Sequence, residues 1–304
     1  MKIKVLDLQF LDNSDAIAAF LVEGKSGVVL VECGPYSTFP ALETALARHG
    51  LRPSDIGHVF LSHIHFDHAG AAWALAQAGA KIYVHPKGLP HLASPEKLYN
   101  SARQIYGDQM DRLWGAMQPI AERQLHAPAH GEVFEVAGLR LTAWHTPGHA
   151  VHHIAWECVT PRTRCKPVLF TGDVAGVKIG SRGVVMPPCP PPDIHIGDWQ
   201  NSIELMRKLP VETLYLTHFG KITDKIPHLD ALERRLLEWA AWMKPHFERQ
   251  TPQAEIVPQF QAFVQGELRA HGIGKAGLAK YEAANPSFMA VAGLMRYWTV
   301  SSRQ

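Results

Sequence analysis

The sequence predicts a mixed α/β (α+β) fold for this chain of 304 residues, and three observations carry that expectation. Between residues 17 and 85, apolar runs of strand length alternate with segments of helical period. A second strand-rich stretch follows residue 132, and from Ile226 onward the pattern is helical almost throughout. With 46% hydrophobic and 19% charged residues, the composition is globular and supplies a substantial core, in one large domain or two smaller ones.

The elements follow in order. The opening "MKIKVLDLQFLDNSDA" alternates apolar and polar residues and lacks the apolar centre of a signal peptide. "IAAFLVEG" and "GVVLVECG" read as strands joined by the turn-prone "GKSG". "TFPALETALARHG" has helical spacing with Gly50 as its stop. "IGHVFLS" is a short buried strand, "AGAAWALAQAG" a helix and "KIYVH" another strand. Residues 86–128 read as two or three short helices broken by prolines. That is long for a connection between strands, and such insertions often cover a site. "EVFEVAGLRLTAWHTPG", "VHHIAWECV" and "KPVLFTGDV" return to strand patterning, whereas "MPPCPPPD" is too rich in proline for a helix or a central strand. "DWQNSIELMRKLP" is a helix with Asp198 as its N-cap, and "ETLYLTHFG" is one more strand. In "LDALERRLLEWAAWMKPHF" an apolar face recurs at helical period. The expected division is therefore 1–225 as the catalytic region, with 86–128 as a candidate lid, and 226–304 as a helical extension: a separate domain, a cover or a dimerisation element.

Charge excludes some partners. Lys plus Arg number 30 against 28 Asp plus Glu, with no long basic run, so nucleic acid is not expected. No apolar stretch approaches the ~18 residues that span a bilayer. Four scattered cysteines form no CxxC pair and read as buried or inert, with Cys189, between prolines, the most exposed. The expectation is a cytoplasmic protein acting on a small molecule, with a homodimer compatible with its helical tail.

Eighteen histidines call for a reason, since histidine is the commonest metal ligand. "LSHIHFDHAGA" crowds His63, His65, Asp67 and His68 directly after a strand. His149 follows the next strand pair in "TPGHA", Asp173 ends a strand in "TGDV", and His218 ends another in "THFG". Strand ends and the loops after them are where rigid scaffolds present functional groups. Residues i and i+2 of an extended stretch point the same way, so His63 and His65 can reach one ion together, while Asp67 and His68, past a bend, can reach a neighbour. A carboxylate such as Asp173 can bridge two cations. Imidazole and carboxylate suit zinc, and also iron or manganese.

His-x-His-x-Asp-His followed in order by the His of "TPGHA", the Asp of "TGDV" and the His of "THFG" resembles the metallo-β-lactamase superfamily, with the spacing of glyoxalase II-like and lactonase-like members. The resemblance covers residues from about 17 to 220. It implies a four-layer αββα sandwich with two divalent ions at one edge: His63, His65 and His149 on the first, Asp67, His68 and His218 on the second, and Asp173 between. Glu32 in "VECG" departs from the Asp that members often carry at a position supporting the ligands. The implied activity is hydrolysis of a carbonyl substrate (thioester, lactone or other ester) by hydroxide held between the ions and oriented by Asp67, because a cation-bound water loses its proton near neutral pH. The Gly-x-Ser-x-Gly pattern of a serine nucleophile is absent. The alternatives are a phosphodiesterase of the same superfamily and a mononuclear iron, persulfide dioxygenase-like oxidoreductase.

Tyr99, Tyr106 and Trp114 of the insertion and His195 of the proline-rich loop are candidate substrate contacts. His152 and His153 read as packed or surface residues beside the site, His85, His91, His126 and His130 as solvated, and Tyr215 as packed in a sheet.

Overall fold

A computed structural model describes residues 1–180 and 183–302. The first sheet contains strands β1 (Lys2–Asp7), β2 (Ala18–Glu23), β3 (Val28–Val31), β4 (His58–Phe60), β5 (Lys81–Tyr83) and β6 (Leu125–His126) in sequence order. Its first three strands are antiparallel and the rest are parallel. Between them lie helices α1 (Phe39–Ala47), α2 (Phe66–Ala69) and α3 (Ala72–Gln77), and the insertion supplies α4 (Leu89–Ala93), α5 (Glu96–Tyr106) and α6 (Met110–Leu113). The second sheet is β7 (Val133–Val136), β8 (Leu139–His145), β9 (Ile154–Val159), β10 (Val168–Gly172), β11 (Thr213–Leu216) and β12 (Gly220–Ile222), with α7 (Ile196–Lys208) connecting β10 to β11. Here only the β10–β11 pair is parallel.

Strand periodicity explains the layering. In β2, Ala18, Phe20 and Val22 face the second sheet, and Ala19 and Leu21 face the helices outside. In β9, Ile154, Trp156 and Cys158 face inward and Ala155 faces outward. Side chains that alternate along a strand thus feed two apolar layers at once. The inter-sheet layer is aromatic: Phe60 stacks on Tyr83 at 4.2 Å, and Phe20 packs on Phe170 and Tyr215. Tyr215 lies in this layer, as its strand pattern suggested.

Outside the second sheet, α7 shares one apolar cluster with the C-terminal helices α8 (Lys225–Glu248), α9 (Gln253–Ala270), α10 (Lys275–Ala284) and α11 (Ser287–Ser301). Trp199 and Trp239 anchor it, and the buried Arg235 is bound by Glu267 at 2.6 Å. Two sheets back to back with helices on both outer faces make an αββα sandwich with a helical C-terminal extension. Among the described residues no helix is long and apolar enough to cross a membrane.

Two local expectations are corrected. Cys189 is fully buried, because Gly293 of α11 packs directly on its carbonyl, and the exposed cysteine is Cys165. The N-cap of α7 is His195, whose Nδ1 accepts the Asp198 N–H at 3.1 Å; Asp198 lies in the first turn.

Candidate metal centre

Strand ends at one edge of the sandwich bring seven side chains together. The segment after β4 carries His63, His65, Asp67 and His68; the β8–β9 connection carries His149; Asp173 follows β10 and His218 follows β11. His63 Nε2 lies 2.8 Å from His65 Nδ1, and His149 Nε2 lies 3.2 and 3.1 Å from these two atoms. A second group forms beside the first, with Asp67 Oδ2 3.6 Å from His68 Nε2 and 3.3 Å from His218 Nε2. Asp173 lies between the groups. Its Oδ1 is 3.2 Å from His68 Nε2 and 3.6 Å from His218 Nε2, and its Oδ2 is 3.5 Å from His149 Nε2.

Neighbouring groups hold these rings in place. His149 Nδ1–H donates to the Pro188 carbonyl (2.8 Å) and His218 Nδ1–H to the Ala16 carbonyl (2.7 Å), so each directs a bare Nε2 into the cluster. His63 Nδ1 bonds Ser62 Oγ at 2.9 Å, and Glu32 Oε1 stands 3.3 Å from His68 Nδ1. Glu32 itself sits at φ 62° and accepts the Ser62 N–H through Oε2. His153 Nε2 accepts the Asp173 N–H at 3.3 Å while its Nδ1–H donates to Thr146 Oγ1 at 2.8 Å. Nothing in the sequence singles out Ser62 or Thr146, and His153, expected to be packed or at the surface, is instead bonded to the Asp173 backbone. Two glycines allow the close approach. A Cβ on Gly172 (φ +49°) would meet Ser62 Oγ at 2.4 Å, and one on Gly148 (φ +135°) would meet the Trp199 backbone at 2.3 Å.

The electrostatics separate the two halves. Burial holds His63 well below the ordinary histidine range and His65 down to about 3, with the neighbouring imidazoles adding to the effect. Burial also opposes charge on His68, but Asp173, Asp67 and Glu32 outweigh it and raise that histidine. Asp173 and Asp67 are buried against their preference. Imidazoles led by His68 reverse this, placing Asp173 well below the carboxylate range and Asp67 at about 2.

This donor set fits metal ions. Three nitrogens 2.8–3.2 Å apart approach the ~3.3 Å separation of imidazoles sharing a tetrahedral zinc with bonds of about 2.0–2.1 Å. The buried His68 Nε2 and Asp173 Oδ1 stand 3.2 Å apart without a well-directed hydrogen bond to any described residue, a costly state that a shared cation removes. Groups His63–His65–His149, Asp67–His68–His218 and His63–His68–Asp173 each present ligand atoms close enough to hold one ion.

A cavity of about 840 Å³ opens from the cluster, where His65, Asp67, His149, Asp173 and His218 reach it. Asp67 is the accessible carboxylate, its side chain 21% exposed against 4% for Asp173. Tyr106 and Trp114 line the cavity. Tyr99 does not; its hydroxyl turns to Asp111 Oδ1 at 3.4 Å. His195 does not line it either, because its ring is engaged at the start of α7. His152, buried, lines the cavity 3.7 Å from Asp193 Oδ2, and His91 lines it too. His85 is buried against His145, contrary to its expected solvation.

Residues 13–218 match the family model of the metallo-beta-lactamase superfamily. The chain belongs to that superfamily. His63 to His218 lie within the matched span, and the αββα fold is the family's. Similar curated proteins include a metallo-beta-lactamase fold-containing protein of Sulfurisphaera tokodaii, 29% identical over 56% of this chain and 63% of its own length. The lactamase-like protein nscB of Aspergillus fumigatus is 26% identical over 77% of this chain and 54% of its own. The atrochrysone carboxyl ACP thioesterase of Aspergillus chevalieri is 29% identical over 54% and 39%. The chain thus spans less than two thirds of each of these relatives. Among solved structures, a metallo-beta-lactamase family protein of Thermus thermophilus matches with TM-score 0.67 at 20% identity over 99% of this chain and 94% of that one. The archaeal structure from Sulfolobus tokodaii matches with TM-score 0.62 at 22% identity over 77% and 86%. At these identities the likeness is one of fold.

Proposed function

We propose that this chain, a metal-dependent hydrolase of the metallo-beta-lactamase fold, binds two divalent ions, zinc in the first instance, and hydrolyses an acyl substrate: a thioester, lactone or other ester. The observation that carries the reading is the Asp173 carboxylate, with one oxygen toward the Asp67–His68–His218 group and the other toward His149. In this assignment His63, His65 and His149 hold one ion, Asp67, His68 and His218 the other, and Asp173 serves both. Bound there, the ions would acidify water and polarise a carbonyl oxygen.

The chain's own groups do the rest. The carbonyls of Pro188 and Ala16 keep His149 and His218 in one tautomer. Glu32 holds His68 from behind, and His153 holds the Asp173 backbone. Asp67, the more open of the two carboxylates, can accept a hydrogen bond from the attacking water and orient it. The thioesterase named among the relatives supports an acyl substrate.

Elemental analysis of the purified protein, followed by a metal-reconstituted screen of thioesters, lactones, esters and phosphodiesters, tests the proposal. Two ions per chain with turnover of an acyl substrate is the expected result. One iron with oxygen uptake, or turnover confined to phosphodiesters, would replace it with another chemistry of the same superfamily.

A further inference from the structure

We propose that the acyl part of the substrate is apolar and about six or more carbons long, and that it lies in a channel walled jointly by the insertion and the α10–α11 junction. The inference deepens the hydrolase reading above and rests on it. The cavity that begins at His65 and Asp67 continues between Phe66, Ala102, Tyr106 and Trp114 on one side and Pro286, Phe288 and Met289 on the other. Its volume of about 840 Å³ is in the range of pockets that enclose drug-sized ligands, roughly 300–1,000 Å³. An acetyl group would leave most of it unfilled.

The lining is suited to hydrocarbon. Trp114 stacks on Phe10 at 5.5 Å and meets Tyr106 edge-on at 5.3 Å, forming an aromatic wall. The Tyr106 hydroxyl reaches only the Met289 sulfur, a weak acceptor, at 3.8 Å. The charged lining residues beyond the cluster do not compete for the interior. Glu282 is occupied by the Ser287 N–H and hydroxyl, Asp193 faces His152, and Lys87 and Lys97 are exposed. Large apolar side chains also stay in solvent at this cavity: Ile105 (48% exposed), Val151 (37%) and Phe288 (40%), from three separate parts of the chain. An apolar border around an apolar cavity marks a surface made to receive an apolar partner.

The C-terminal wall is pinned to the rest of the molecule. Asn285 Nδ2–H donates to the Pro187 carbonyl at 3.3 Å, and Lys280 Nζ binds Asp15 Oδ2 and Ser14 Oγ, each at 2.8 Å. The segment carrying Ser14 and Asp15 also presents Phe10 and Leu11 to the cavity. The channel is thus a built part of the structure that needs both the insertion and the C-terminal extension.

The test uses the metal-loaded, full-length protein and N-acetylcysteamine thioesters from acetyl to decanoyl. Burial of each methylene predicts a rise in kcat/KM of about fourfold until the channel is filled, hence a preference of about two hundredfold or more for octanoyl over acetyl once the four methylenes from acetyl to hexanoyl are buried. Ala102→Phe, which narrows the channel, and Phe288→Asp, an exposed change expected to fold, should each compress that ratio at least tenfold. Calorimetric titration with the non-hydrolysable S-octyl thioether should show binding with a negative heat-capacity change, the mark of apolar burial. A flat chain-length profile with no thioether binding overturns the channel inference while leaving hydrolysis intact. Thioether binding without hydrolysis of any acyl substrate would remove the hydrolase reading and leave the apolar channel standing.

Discussion

Asp173 and His68 form the junction of the centre: Asp173 Oδ1 lies 3.2 Å from His68 Nε2, and the carboxylate's other oxygen faces His149 at 3.5 Å. One side chain therefore joins two groups of donors that would otherwise be separate sites. Asp173→Asn keeps the shape but removes the charge and one acceptor. Even groups that only orient ligands cost ten- to a hundredfold when removed, so this change should lower turnover by more than about a hundredfold. Bound metal should fall below the wild-type content, read by elemental analysis after exhaustive dialysis. Full metal content with wild-type turnover would remove Asp173 from its assigned position.

Glu32 makes a more selective case. Its carboxylate stands 3.3 Å from His68 Nδ1, on the side of the ring away from the cluster. Glu32→Gln should weaken binding of one ion by about ten- to a hundredfold and leave the ion of His63, His65 and His149 in place. Calorimetric titration of the chelated protein with zinc would then show one unchanged and one weakened step. Two unchanged steps would make Glu32 a packing residue only.

The clustering of the seven candidate ligands is legible in the sequence because all of them sit where strand patterns end, a local signal that survives without tertiary information. Their partners were not legible. His153 and His152 are adjacent in sequence on one strand approach, yet His153 bonds the Asp173 backbone and His152 faces Asp193. Only the packing of β9 against β10 decides between them. The same holds for Tyr99 and Tyr106, both on α5, of which only Tyr106 reaches the cavity. The loop position of His195 suggests a pocket contact, but the first turn of α7 claims its ring. The wall formed by Pro286, Phe288 and Met289 comes from a helix junction more than two hundred residues beyond the His63 motif, and no periodicity announces it.

Gly172 links backbone geometry to the centre. It sits at φ +49°, and an added Cβ would meet Ser62 Oγ at 2.4 Å and His153 Nε2 at 2.8 Å. Gly131, at φ +79°, has nothing within 4 Å of the same added atom. Gly131→Ala should cost only the positive-φ penalty, about 1 kcal/mol. Gly172→Ala adds the clash and should cost about 2–4 kcal/mol, with reduced metal content because Ser62 also holds His63. Urea unfolding of both variants beside the wild type measures the difference, and equal losses would mean that the strand end accommodates the methyl group.

Acid sensitivity should come partly from a histidine outside the metal cluster. His228 on α8 is buried and donates Nε2–H to the Ala175 carbonyl at 2.8 Å, two residues past Asp173. Burial, only partly offset by that bond, holds it down to about 4. Its ordinary value is about 6.5. Above pH 6.5 the ring is neutral in both folded and unfolded chains and the stability linked to it is fully present. As the pH falls from 6.5 toward 4, the unfolded chain binds the proton first and stability is lost, at about 1.4 kcal/mol per unit at most. His228→Gln retains an N–H for Ala175 but does not titrate. Compared in urea with chelator present, so that bound metal does not mask the effect, the variant should lose about 1–2 kcal/mol less stability than the wild type between pH 7 and pH 5. Identical losses would show that folding leaves the His228 pKa where it stands in the unfolded chain.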